Sequence, residues 1–278
     1  MTLPKQVALG TMHGKAAVIA PPLSALGISV IVPEGLDTDR FGTFSGEIAR
    51  AGTMEQAARA KARAAAELTG LPVGMASEGA YGPHPAVPFL ALGQELILWH
   101  EVATGREIVE VLRDDRPVFD QTLVSSVGEV EAFLSRIGFP VVAVVVAGEG
   151  AGRPLAKGLS ETRSVERAVA EALALSDSGR ALIATDMRAH VNPRRMSVIG
   201  DLAARLAARL ACPCPACAAP GWGRLRVEAG LPCGDCGTPT GLLRTEILGC
   251  TACGAEAAQP FPGAPIFAEP GQCPICNP

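Results

Sequence analysis

Residues 53–76 read TMEQAARAKARAAAELTGLPVGMA. Thr53 with Gln56 three positions on is a capping box, in which each side chain serves the other residue's backbone N–H. Alanine-rich sequence to Leu68 then favours a helix, and Gly70 supplies its left-handed stop. Pro72 forbids helical continuation, and 72–76 is apolar enough for a buried strand. A helix running straight into a strand is the repeating unit of an α/β layer.

The pattern extends in both directions. Residues 6–10 form a short strand candidate that enters a polar turn at 11–15. A helix is expected from about Lys15, interrupted or ended by Pro21 and Pro22. The β-branched run 27–32 suggests a second strand. Beyond residue 76, the segments 87–100 and 106–112, joined by Ala103, Thr104 and Gly105, predict an antiparallel hairpin. A short helix over 127–137 precedes the almost purely apolar 141–147, a strand expected to be buried on both faces. A Gly-rich loop follows at 148–154, then an amphipathic helix over 161–175 and a strand at 181–185. Asn192 as N-cap and Pro193 in the first turn open a long helix to about Leu210.

The reading is therefore an α/β, mixed-sheet domain over residues 1–211. A Cys-rich module occupies 212–278. That module holds four Cys-x-x-Cys pairs: Cys214/Cys217, Cys233/Cys236, Cys250/Cys253 and Cys273/Cys276. Two thiolates three residues apart can clamp one side of a tetrahedral ion, so four pairs predict two structural zinc ions in a double zinc ribbon. The spacing suits knuckle–hairpin–knuckle ribbons. It leaves open a nested pairing, with the two middle pairs sharing one ion, and a sequential one, first with second and third with fourth. Cys212 is left over as a spare thiol.

The chain has 278 residues, 48% hydrophobic and 19% charged, which supports a packed core rather than disorder. Its net charge of −4 gives no general attraction to nucleic acid or anionic lipid. From Cys212 onward, three arginines (Arg224, Arg226, Arg244) face five acids (Glu228, Asp235, Glu246, Glu256, Glu269). A phosphate-backbone binder needs the opposite sign, so the module is expected to be structural or to dock a protein partner. No apolar run reaches the roughly 18 residues of a membrane span. The absence of a basic, apolar leader in residues 1–10, together with nine cysteines, predicts a reducing cytoplasmic setting.

Only four of the 24 basic residues are lysine, namely Lys5, Lys15, Lys61 and Lys157. Where arginine is otherwise used throughout, a retained lysine suggests a role that needs a compact point charge, such as phosphate binding. Polar turns concentrate at 11–15, 37–47, 76–85 and 185–196. Lys15 lies after a strand and near a helix start, where backbone N–H groups assist an anion. Glu47 and Glu78 are candidates to hold a magnesium ion, which would polarise a phosphoryl group and position water. Lys61 is a second phosphate ligand on the helix. His13, Asp186, Arg188, His190, Arg194 and Arg195 are candidates to contact the rest of the ligand.

The motifs HGK (13–15), TDRFGTF (38–44), ASEG (76–79), GPHP (82–85) and TDMRAH-x-NP-x-RM (185–196), with the four Cys pairs, resemble an uncharacterised bacterial family, a domain of unknown function. Residues 9–79 also resemble the first half of the inosine-triphosphate pyrophosphatases. In that resemblance Lys15 matches the phosphate-binding lysine and Glu47 falls near the expected carboxylate. Thr53, Ala58, Lys61 and Ala62 match the helix motif, and Gly79 matches the glycine of the acidic turn. Met12 replaces an asparagine, and Ser77-Glu78-Gly79 replaces Asp-Ser-Gly. The resemblance implies a metal-dependent phosphoanhydride hydrolase acting on a nucleotide-like substrate. A non-catalytic ligand-binding or protein-docking protein is the alternative, and a nucleic-acid-processing protein the third.

Overall fold

The computed structural model describes residues 2–43, 48–50 and 52–278. Contacts divide the chain into two units, Pro4–Ala207, and Ala208–Pro278 with residues 2–3. Among the described residues no helix is long and apolar enough to cross a membrane.

The first unit opens with β1 (Gln6–Gly10), α1 (Ala16–Ser24), β2 (Ser29–Ile31), α2 (Met54–Thr69), β3 (Val73–His84), β4 (Val87–Glu101) and β5 (Glu107–Asp114). These strands form a five-stranded mixed sheet in the order β2-β1-β3-β4-β5. β1 is parallel to both β2 and β3, whereas β4 and β5 continue antiparallel. The chain thus moves to one side of β1 and returns on the other. Crevices at the carboxyl ends of strands at such a reversal are where α/β folds bind ligands.

The capping box forms as the residues dictate. Thr53 Oγ1 accepts from Gln56 N at 3.2 Å and Thr53 N donates to Gln56 Oε1 at 2.8 Å. Gly70 ends α2 at a φ of 68°. The buried face of α2 is small: Ala57, Ala58, Lys61, Ala62, Ala65 and Ala66. Its strand partners are small too. A Cβ on Gly74 would lie 1.9 Å from the carbonyl oxygen of Ala62, and one on Gly10 2.7 Å from that of Lys61. Without these glycines α2 could not approach the sheet closely enough to seat Lys61 over the end of β1.

Two expectations about this region need correcting. α1 runs through Pro21 and Pro22 to Ser24 rather than breaking at them. The proline rings hold φ at a helical value, and the missing amide donors fall within a nine-residue helix that ends directly afterwards. β3 is also much longer than the apolar stretch 72–76. It runs to His84 because Ser77–Pro83 find a complete antiparallel partner in β4. Glu78 therefore projects from a strand, not from a turn.

The second half of this unit comprises β6 (Gln121–Val124), α3 (Val130–Ile137), β7 (Val144–Gly148), β8 (Ala156–Leu159), α4 (Thr162–Leu175) and β9 (Ala181–Thr185). They build a four-stranded antiparallel sheet, β6-β9-β7-β8. Val144, Val146 and Ile183 of the sheet pack with Phe133 and Leu134 of α3 and Val165 and Val169 of α4. β6 and β8 were not foreseen, since each is only four residues long and carries no sustained alternation. α5 (Pro193–Leu210) follows, with Asn192 Oδ1 accepting from Arg195 N at 3.1 Å as its cap.

In the Cys-rich unit, β10 (Gly223–Ala229), β11 (Leu243–Gly249) and β12 (Glu256–Pro260) form an antiparallel meander in that order.

Candidate functional site: a cation-lined pocket and two four-thiolate centres

The four Cys-x-x-Cys knuckles are built alike. In each, the amide four positions after the first cysteine closes on that cysteine's carbonyl at 2.9 Å: Ala218 on Cys214, Gly237 on Cys233, Gly254 on Cys250 and Asn277 on Cys273. Three of the leading thiolates also accept a backbone N–H at 3.4 Å, from Ala216, Ala252 and Ile275. Such bonds orient a sulfur ligand and tune its charge.

The knuckles meet in an interleaved pattern. Cys214, Cys217, Cys250 and Cys253 form one cluster, and Cys233, Cys236, Cys273 and Cys276 the other. Neither the nested nor the sequential pairing occurs. The cause is strand count. One strand, not a hairpin, separates the first knuckle from the second, one separates the second from the third, and β12 lies between the third and fourth. Each strand carries the chain to the opposite end of the meander, so alternate knuckles share an end. A seven-residue strand spans about 23 Å at ~3.3 Å per residue, too far for consecutive knuckles to share an ion.

The donor sets fit a tetrahedral ion. Metal–sulfur bonds of about 2.3 Å imply S···S edges of about 3.8 Å. The observed Sγ–Sγ separations are 3.8 Å (Cys214–Cys253), 3.7 Å (Cys217–Cys250), 3.8 Å (Cys233–Cys276) and 3.6 Å (Cys236–Cys273). In each cluster two cysteines are buried and two exposed. Cys212 is exposed and belongs to neither.

The other candidate site lies in Pro4–Ala207. A pocket at the carboxyl end of β1, beside the middle of β3, is lined by His13, Lys15, Asp39, Lys61, Glu78 and Arg195, among others. Its enclosed volume is about 30 Å³, room for about two water-sized groups. The register places Gly10 opposite Ala76, so Ser77 and Glu78 extend past the end of β1 toward the loop that carries Lys15.

Lys15 is buried, and its Nζ donates to the Ser77 carbonyl at 3.0 Å and to Ser77 Oγ at 3.1 Å. Among the described residues no carboxylate pairs with it. Burial drives its pKa down to about 8, Arg195 and Lys61 push the same way, and Glu95 and Glu78 oppose. Lys61, from the buried face of α2, ion-pairs with Glu78 Oε1. Arg50 reaches Glu78 Oε2 at 3.2 Å and the Gly79 carbonyl at 2.8 Å. Arg195, from the first turn of α5, contacts Glu95 Oε1 through Nε at 2.6 Å, and the Tyr81 hydroxyl donates to the same oxygen at 2.8 Å. Gly79 makes room for that pair: a Cβ there would lie 2.4 Å from Glu95 Oε1.

At the rim, His13 stacks on His190 with ring centroids 5.0 Å apart and stands 3.7 Å from Asp39 Oδ1. Burial lowers the His13 pKa to about 4 against the pull of Asp39, with His190, Lys15 and Arg188 adding to the fall. Burial and Arg188 also lower that of His190. Both rings are therefore neutral at pH 7.

Of the residues singled out from sequence, His13, Lys15, Lys61, Glu78 and Arg195 line this pocket, and His190 abuts it through the ring stack. Glu47 lies outside the described residues. Glu78 is held by Lys61 and Arg50, so as a magnesium ligand it would have to give up both partners. Asp186, Arg188 and Arg194 do not line the pocket. Buried Asp186 accepts from Gly158 N at 3.0 Å and grips Arg188 by two oxygens, and Arg194 is bound to Asp114. Burial works to raise the Asp186 pKa, but those hydrogen bonds outweigh it and hold the carboxyl below its ordinary value.

Sequence reasoning missed Asp39, Ser77, Arg50 and Glu95. Asp39 and Ser77 sit within polar stretches already marked, and Glu95 is a charge beside an apolar strand run, which signals a buried partner. Larger clefts of about 570 and 530 Å³ exist beside α4 and α3, but both open widely to solvent and neither gathers buried charge.

No curated protein and no solved structure matches the chain. A family model described as a domain of unknown function, DUF6671, matches residues 61–278, which includes Lys61, Glu78, Arg195 and all eight clustered cysteines but begins after Lys15. The match extends over well more than half of the sequence, and the chain belongs to the DUF6671 family.

Proposed function

We propose that the pocket binds the terminal phosphate of a nucleotide-like substrate and that the protein is a phosphoanhydride hydrolase. The observation that carries this is the convergence of Lys15, Lys61 and Arg195 on one small cavity in which Lys15 has no carboxylate of its own among the described residues. An uncompensated buried cation is costly, and an anionic ligand offsets that cost. Thr11 Oγ1, another lining group, is buried without a hydrogen-bond partner among the described residues and supplies a free polar contact. The cavity of about 30 Å³ takes only one or two phosphate oxygens, so the rest of the substrate would lie at the rim near His13 and Asp39. Magnesium would enter with the substrate's own phosphate charge, with Asp39 a lining carboxylate that pairs with no arginine or lysine among the described residues. The strand–lysine–helix–strand order supports an inosine-triphosphate-pyrophosphatase-like arrangement for residues 9–79. A panel of nucleoside triphosphates assayed with magnesium tests the reading. It expects pyrophosphate or phosphate release that is lost in Lys15→Met; no turnover above that variant for any nucleotide counts against it.

The two four-thiolate centres are read as structural zinc. Thiolate sets with closed tetrahedral geometry and no open position suit an ion that stabilises a small core rather than one that reacts. A protein-docking role is a second reading for this unit, favoured by the exposure of Ile266, Phe267 and Ile275 around the second centre. Nucleic acid is disfavoured, because Arg226 is tied to Glu228 and Glu256, and Arg224 to Glu246.

A further inference from the structure

Phosphate binding alone does not explain why lysine stands at position 15. Arginine binds phosphate at least as well and is used at twenty of the chain's basic positions. What arginine cannot do is lose its proton and act as a nucleophile. We infer that Lys15 is a reactive amine that forms an imine with a small carbonyl compound bearing an anionic group, such as an aldehyde phosphate or a 2-oxo acid.

The geometry meets each requirement of that chemistry. Lys15 Nζ lies against an enclosed cavity of about 30 Å³, enough for the carbon and oxygen of one carbonyl group. Neighbouring cations, Lys61 and Arg195, disfavour a further positive charge there and attract the substrate's anion, which would lie at the cavity mouth; a lysine beside another cation is a recognised way of activating an amine. Among the described residues the Nζ contacts are a carbonyl and a hydroxyl rather than a carboxylate, so none of them locks the proton in place by charge. Ser77 Oγ, at 3.1 Å, is placed to relay it. The depressed pKa of Lys15 agrees with this arrangement. Lys61 is the contrast: it shares the pocket but is paired with the carboxylate of Glu78.

In the step itself the nitrogen lone pair attacks the carbonyl carbon and forms a C–N bond. The carbonyl oxygen leaves as water and takes both amine hydrogens with it. The inference shares with the hydrolase reading only the anion-binding character of the pocket, and an inactive nucleotide panel leaves it standing.

The sparse lysines make a clean test. The native full-length protein is treated at pH 7.5 with glycolaldehyde phosphate and sodium borohydride, which delivers hydride to the imine carbon and fixes the adduct as a secondary amine. Peptide mass spectrometry then reports the labelling rate at Lys5, Lys15, Lys61 and Lys157. Labelling at Lys15 at least tenfold faster than at Lys5 and Lys157, and slowed by inorganic phosphate, is the expected result. A buried lysine with only a structural role is shielded, so labelling at Lys15 equal to or slower than at Lys5 and Lys157 overturns the inference. Phosphate-insensitive labelling at Lys15 overturns the anion seat.

Discussion

Replacing Lys15 by methionine should stabilise the ligand-free protein. The depression of its pKa from 10.5 to about 8 measures how much burial and neighbouring cations disfavour the ammonium. At roughly 1.36 kcal/mol per unit this is about 3 kcal/mol at pH 7. Methionine has similar length and no charge, and removes that cost. It also forfeits the two hydrogen bonds to Ser77, at about 1 to 2 kcal/mol together. The net expectation is a gain of about 1 to 2 kcal/mol. The sign with pH follows from linkage. Between about pH 8 and 10.5 the unfolded wild type binds more protons at this site than the folded one, so wild-type stability rises and the variant's advantage disappears. Urea unfolding of the full chain, followed through buried Trp99 in a Trp222→Phe background, measures the difference. If Lys15→Met is less stable than wild type at pH 7, Lys15 is a structural group and the argument for a ligand-seeking cation fails.

Four further outcomes follow from the geometry. Sulfate keeps its charge between pH 7 and 10, so its affinity for the pocket, read by calorimetry, should fall by up to about tenfold per unit above pH 8 as Lys15 loses its proton; a flat profile removes Lys15 from the site. Metal stoichiometry by elemental analysis should separate the possible pairings: Cys214→Ser with Cys250→Ser leaves one ion per chain, whereas Cys214→Ser with Cys233→Ser leaves none. Ala218 holds a φ of 57° where two sister knuckles have Gly237 and Gly254, so Ala218→Gly should stabilise the Cys-rich unit by about 1 kcal/mol in thermal unfolding. Glu95→Gln removes the buried carboxylate that Arg195 pairs with and should cost about 3 kcal/mol or more in urea unfolding, while a loss under 1 kcal/mol means the pair is not buried as described.

What could be read from sequence was local. The α2 capping box, its Gly70 stop, the Asn192 cap and the eight cysteine ligands each depend on residues a few positions apart. The pairing of the knuckles was not legible, because it depends on whether one strand or two lie between them, and the β-bulges and short strands of this meander carry weak periodicity. Glu78 was expected in a turn because Ser77, Gly79, Gly82 and Pro83 are turn-formers, yet pairing along the whole of β4 overrides that preference. Lys15 and Lys61 were visible as lysines in an arginine-rich chain. Their link to Arg195 was hidden, since Glu95 and Arg195 meet across 100 positions of sequence.

Titration of the full-length protein with inorganic pyrophosphate by calorimetry tests the pocket most directly. The structure predicts one site per chain in wild type and at least a thirtyfold weaker affinity in Lys15→Met, as loss of a charge-assisted contact of about 2 kcal/mol or more implies. No binding to the wild type, or equal binding to both proteins, would contradict it.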